Sequence, residues 1–162
     1  MFQREITINE FQLGHFKMVS KDIESDSIFT RSPGHRHTPA WILGHLAICG
    51  EMGQQMLGGT ITHADWLERF GPGSVDAATP DESISLHYLI NATVTAYSEF
   101  RTLAASPLDT ASLALPHTVP FLIETPIRTN ADLISLLLTN HFGFHLSQLS
   151  SCRRAAGLPP LF

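Results

Sequence analysis

Charged side chains are scarce in this sequence, at 15% of 162 residues, and ten Lys and Arg are outnumbered by fifteen Asp and Glu. A formal net charge of -5 argues against a nucleic-acid partner, because affinity for a phosphate backbone rests on clustered cations. The basic pair Arg153-Arg154 falls at the end of a helical pattern, where it complements the helix dipole. Cysteine is nearly absent as well. Cys49 and Cys152 lie far apart, which gives neither a disulfide framework nor a CxxC-type zinc site. No apolar run is long enough to span a bilayer, and Met1-Phe2-Gln3-Arg4-Glu5 lacks the apolar stretch of a signal peptide. The expectation is a cytoplasmic protein with reduced thiols and no membrane partner.

What is present points to a globular chain. Hydrophobic residues make up 43%, and 162 residues can bury a full core as one domain, 1–162, without metal or disulfide staples. Nine histidines stand against two tyrosines, so histidine placement carries the most information.

Four helical segments are expected. The first spans about Asn9 to Ser25, with Leu13, Phe16, Val19 and Ile23 at three- and four-residue spacing. Thr38 and Pro39 form an N-cap and first-turn proline for the second, which carries Trp41, Ile42, His45, Leu46, Ile48, Met52 and Met56 and stops at Gly58-Gly59. A loop over about Thr60 to Thr79 leads to Thr79-Pro80-Asp81-Glu82, a capping-box pattern expected to open the third helix, which ends before Pro107. Residues 108–128 hold three prolines and are expected to form a loop, with one short extended piece at Phe121-Leu122-Ile123. Thr129-Asn130-Ala131-Asp132 opens the fourth helix, closed near Ala156 by Gly157 and Pro159-Pro160. No repeat and no strand–helix alternation occurs. The expected fold class is all-α, a four-helix bundle with long connections between helices two and three and between three and four.

On the fourth helix Ile134, Leu138, His141, His145, Gln148 and Cys152 form a seam of alternating four- and three-residue steps, which faces a bundle core. His141 and His145 are one turn apart, with Cβ atoms roughly 5–6 Å from each other. On the second helix His45 lies in the apolar stripe between Trp41 and Ile48. A buried imidazole without partners costs roughly 1–3 kcal/mol. A divalent metal shared by His45, His141 and His145 would remove that penalty, as a core histidine's single hydrogen bond also would. No Glu follows the first His as in HExxH, and no Glu-x-x-His precedes the pair, so neither a zincin nor a di-iron site is indicated. Gln148 is a candidate for orienting a ligand or a metal-bound ring, or else a core amide. Trp41 suits the core or a pocket wall. Cys49 and Cys152 both fall where they can face the same core, as small apolar groups or as ligands. His35, His37, His63 and His117 are expected in surface loops, with His37 nearest the bundle mouth, and His15 and His87 on solvated helix positions.

The sequences Trp41-Ile42-Leu43-Gly44-His45-Leu46 and His141-Phe142-Gly143-Phe144-His145-Leu146-Ser147-Gln148-Leu149 resemble the DinB/YfiT-like superfamily. The resemblance extends to the order of helices, to Phe70-Gly71-Pro72-Gly73-Ser74 and to Gly157-Leu158-Pro159-Pro160. It implies a four-helix bundle, frequently a homodimer, with a three-histidine site for zinc or nickel built from His45, His141 and His145. Characterised members of that superfamily use low-molecular-weight thiols, as S-transferases for bacillithiol or glutathione or as a mycothiol-dependent isomerase. In many members a basic residue and Gly precede the Gln of the second motif, whereas Leu146-Ser147 stand there in this chain.

Three neutral imidazoles leave a metal its full charge and an open coordination position. Such a centre suits a thiol bound as thiolate, or a water whose pKa falls toward about 7. The function expected first is thiol transfer to an electrophilic small molecule, a detoxification. A non-catalytic, dimerising metal-binding domain of a stress response is the alternative, and a metal-dependent hydrolase is the second.

Overall fold

Every regular element of the computed structural model, which describes residues 1–161, is helical; an isolated bridge between Pro116 and Thr129 is the only β pairing among them. Helix α1 runs Gln3–Lys21, starting and ending earlier than the apolar spacing suggests. Phe2, 3% exposed, anchors its start in the core. Its end follows from short polar side chains that compete for the backbone. Ser20 Oγ donates to the Phe16 carbonyl, and a 3-10 turn at Ser25–Ser27 takes over beyond Asp22.

Helix α2, Pro39–Met56, matches its start and stop signals. Thr38 Oγ1 accepts the Trp41 N–H, and Gly58 takes a left-handed φ of 86° after the last turn. Nearly every α2 side chain from Pro39 to Gln54 is buried, the mark of a helix packed on all sides. The following stretch is not all loop: a 3-10 turn at Ala64–Trp66 leads into the short helix α3, Leu67–Phe70.

Helix α4 is Leu86–Ala105, so the capping-box pattern at Thr79 does not start it. Asp81 instead spends its carboxylate on the Ser83 N–H and hydroxyl and on Arg69. Ser85 caps the helix, accepting from Tyr88 N–H. In the proline-rich stretch, α5 forms at Thr110–Ala114, and the expected extended piece is a 3-10 turn at Pro120–Leu122, with proline at its first position.

The last helical run is capped as expected, Thr129 and Asp132 forming a reciprocal capping box. It is not continuous. Helix α6, Asn130–Leu136, passes into a π-helical turn at Leu137–His141 and then into α7, Phe142–Ala155. A π turn admits one extra residue and frees backbone carbonyls from the regular ladder. Side chains of α1 reach two carbonyls of the turn: Asn9 Nδ2 donates to Leu138 at 2.8 Å, and Gln12 Nε2 to Thr139, which also accepts the Phe142 N–H, at 3.1 Å. Gly143 makes room, because a Cβ there would sit 2.7 Å from Gln12 Nε2. The extra residue turns everything beyond it by about 100°, so the expected seam breaks. Phe142 and Leu149, outside the expected seam, enter the core, while its members His141 and Gln148 are half-buried; His145 and Cys152 are buried as expected.

Helix α2 packs chiefly on α4 and also on α7, and α1 packs on α4 and α7. Between them lie Phe16, Leu43, Leu46, Leu89, Tyr97, Phe100 and Phe142, with Tyr97 and Phe142 edge to face at 4.6 Å. No helix among the described residues is long and apolar enough to cross a membrane.

Asn9 is wholly buried and joins three helices, since its Oδ1 also accepts from Arg101 Nη1 of α4 at 3.1 Å. Replacing it by Leu strands a carbonyl and a guanidinium N–H. An Asn9→Leu protein is expected to lose about 2–3 kcal/mol in urea denaturation, and a loss under about 0.5 kcal/mol would show that the π turn does not depend on α1.

Candidate metal centre

Each of the three histidines comes from a different piece of backbone: His45 from the middle of α2, His141 from the end of the π turn and His145 from the first turn of α7. The structure brings them together. One ligand nitrogen from each lies within 4.8 Å of the other two, and His45 Nε2 is 3.2 Å from His141 Nε2. Two nitrogens bound at about 2.0–2.1 Å to one tetrahedral ion would be separated by roughly 3.3 Å. The cluster can therefore hold a divalent metal without rearranging its backbone.

Two of the rings are fixed from behind. His45 Nδ1 donates to the Phe70 carbonyl at 2.7 Å, and His145 Nδ1 to Gln148 Oε1 at 2.8 Å. Each bond puts the proton on Nδ1 and leaves the Nε2 lone pair for a ligand. Gln148 thus orients a ring of the cluster and is not a core amide joined to another helix. His141 Nδ1 is buried with no partner among the described residues, so packing and the contact of its Nε2 with His45 position that ring.

Burial, and then the neighbouring imidazoles, push His141 down to about 2 and His145 to about 3; burial also lowers His45, against the Phe70 carbonyl that raises it. All three are neutral at pH 7, the state a metal requires.

Trp41 is both core and pocket wall. It stacks on His45 with centroids 4.5 Å apart, and His37 stacks on its other face at 3.7 Å. His37 is therefore drawn inward, half-buried, and burial lowers its pKa. The indole N–H donates to Ser74 Oγ, which ties the Phe70–Ser74 loop over the site. Gly44 fits here because a Cβ would come within 2.5 Å of the Phe70 ring, the residue whose carbonyl holds His45. Cys49 Sγ lies 3.5 Å from His45 Nε2, but no metal-binding group among the described residues includes it. Burial drives its thiol up to about 12, so in the absence of an ion it behaves as a small apolar group.

Cys152 is elsewhere. Its sulfur meets His35 Nδ1 at 3.3 Å and lines a separate hollow of about 210 Å³. Cys152 stays on the same helix as His145 but about two turns further along it, roughly 10 Å away, and so meets His35 instead.

The cluster forms the floor of a cavity of about 550 Å³ between α2, the π turn, α7 and the segment 117–122. His117, expected on the surface, is 7% exposed and lines it; its Nε2 donates to the Ile127 carbonyl and its Nδ1 accepts the Val119 N–H. His63 is also misjudged as a free surface group. It bonds the buried carboxylate of Glu51 at 2.5 Å and Tyr88 at 3.0 Å, and Glu51 further accepts the N–H groups of Thr62 and His63. Glu51 could have been noticed as an acid inside an otherwise apolar helix; its partners, eleven and twelve residues away, leave no periodic signal. This bracing holds the loop whose end supplies Phe70.

No protein-family model matches the chain, and no curated protein matches it.

Two outcomes follow from this geometry. Stability of the metal-free protein should fall with acid, because an unfolded chain protonates these rings near 6.5 while the folded one resists until far lower. The stabilisation is complete above 6.5 and is lost as pH drops toward 3, by up to about 1.4 kcal/mol per pH unit for each ring. Urea midpoints at pH 7.5 and 5.5 in a chelator should differ clearly, and differ less in a His141→Gln, His145→Gln protein; equal midpoints at both pH values would contradict the neutral cluster. Separately, Gln148→Leu should weaken zinc affinity about 10–100-fold in competition with a chromophoric chelator, and unchanged affinity would remove Gln148 from the site.

Proposed function

We propose that the protein is a metal-dependent enzyme, a single-domain four-helix bundle of DinB/YfiT-like type, that transfers a low-molecular-weight thiol to an electrophilic small molecule. One observation carries the enzymatic part: the three-histidine cluster opens on a cavity, and no fourth donor among the described residues completes it. A structural zinc site is closed by four protein ligands, whereas a catalytic one keeps a position for water or substrate. His45, His141 and His145 would hold zinc or nickel. When bound, that ion supplies a low pKa to a thiol or water beside it, making a nucleophile at neutral pH.

The chain's own residues do the rest. Gln148 and the Phe70 carbonyl orient two imidazoles. Trp41, with Pro72 and Gly73 of the Phe70–Ser74 loop, forms part of the cavity wall beside the cluster. In the reaction the thiol sulfur forms a bond to carbon, the leaving group departs with the electron pair, and the thiol proton goes to solvent. No carboxylate among the described residues lines the cavity to serve as a general base for water, which favours the thiol over hydrolysis.

Elemental analysis of tag-free protein should find about one zinc or nickel ion per chain, and much less in His141→Ala. The loaded protein, given bacillithiol, glutathione or mycothiol with a panel of electrophiles, should consume thiol at least about 100-fold faster than the His141→Ala variant. Metal binding with no thiol consumption under any of the three would defeat the transfer reading and leave a non-catalytic metal domain; ester cleavage in its place would favour a hydrolase.

A further inference from the structure

The cavity above the histidines has a one-sided chemistry. Among the described residues none that lines it is Asp, Glu, Lys or Arg, and its histidines are His45, His117, His141 and His145. His117 has both ring nitrogens occupied by backbone groups, and His45 and His145 each spend Nδ1–H on a carbonyl oxygen. Its walls come from apolar side chains on separate elements: Met52 and Met56 of α2, Leu136 of α6, Val119 and Leu122 of the loop, and Phe144 of α7. The apolar character continues outward, since Phe121 and Phe144 at the lining are 68% and 56% exposed. Polar groups are present only as neutral ones, among them Gln55, Thr118 and Asn140.

We infer that this cavity binds an uncharged, largely apolar small molecule, and that a charged ligand of either sign is excluded from its walls. The inference rests on the cavity floor being the reacting centre and names the electrophile's class: a neutral molecule of aliphatic or aromatic character with few hydrogen-bonding groups. A carboxylate or ammonium buried here would lose its water and meet no counter-charge from the protein. An apolar group gains from leaving water and fits a volume in the usual range for small-molecule sites. The two methionines on one wall add adaptability, because their unbranched chains reshape around different occupants and their sulfurs contact aromatic edges favourably. The ionic parts of a thiol co-substrate then stay at the mouth in solvent, and only its sulfur end reaches the floor.

Binding, not turnover, tests this. The neutral naphthalene dye prodan is titrated into the full chain, first metal-free in chelator and then zinc-loaded, and displaced with 1-octanol, octanoate or octylammonium. Octanol should displace prodan from the metal-free protein at least about 30-fold more effectively than either ion. Met56→Lys should weaken prodan about tenfold or more and reverse the order, favouring octanoate; Phe121→Lys, at an exposed position that tolerates charge, should shift it the same way. Octanoate or octylammonium displacing as well as octanol, or both lysine variants keeping the wild-type order, would overturn the inference. Absence of zinc binding or of thiol transfer would leave the metal-free titration untouched, so failure of the enzymatic reading and failure of this one are separable.

Discussion

The π turn at Leu137–His141 draws hydrogen-bond donors from outside its own helix, and Asn9 and Gln12 of α1 supply them. Much of the site depends on that exchange. With an unbroken helix His141 would continue the stripe of Ile134 and Leu138 into the apolar core. The extra residue swings it to the cavity side, with Nε2 3.2 Å from that of His45, and lets Phe142 fill the core against Phe16 and Tyr97. One irregularity thus serves packing and chemistry together, which is a common setting for π turns. It is held by buried amides because the freed carbonyls would otherwise be orphaned away from water.

The histidines are supported by the long connection after α2 as much as by helices. That connection is fastened at several points: Glu51 to Thr62 and His63, Trp41 to Ser74, and Asp76 to the Thr38 N–H at 2.6 Å. The last of these also joins it to the start of α2. Between the fastenings sits the Phe70 carbonyl, which selects the His45 tautomer. A loop of this length would ordinarily be mobile; here buried acids and an indole N–H find their partners in its backbone and side chains, so the segment becomes a fixed wall.

Much of the fold was legible locally. Thr38-Pro39, the Thr129–Asp132 box and Gly157 each mark a terminus because capping is a contest among neighbouring groups. The Thr79–Glu82 pattern misled because this segment is held otherwise: Asp81 accepts from Ser83, and Arg69, ten or more residues away in sequence, binds both Asp81 and the Thr79 carbonyl. The resident histidines of the cluster were readable from one-turn spacing and apolar neighbours, and Gln148 from its step of three beyond His145. The burial of His117 and the partners of Glu51 were not, since both come from segments distant in sequence.

By itself the sequence determined the helical class, most helix ends and the identity of the three clustered imidazoles, because these depend on periodicity and on groups within a turn or two of each other. Tertiary structure alone decided that the fourth helix breaks into a π turn, that Cys152 leaves the histidines for His35, and that the cluster floors an uncharged cavity. Those outcomes are set by which distant side chain reaches a backbone group first and by how separate walls meet. Neither is encoded in spacing along one helix.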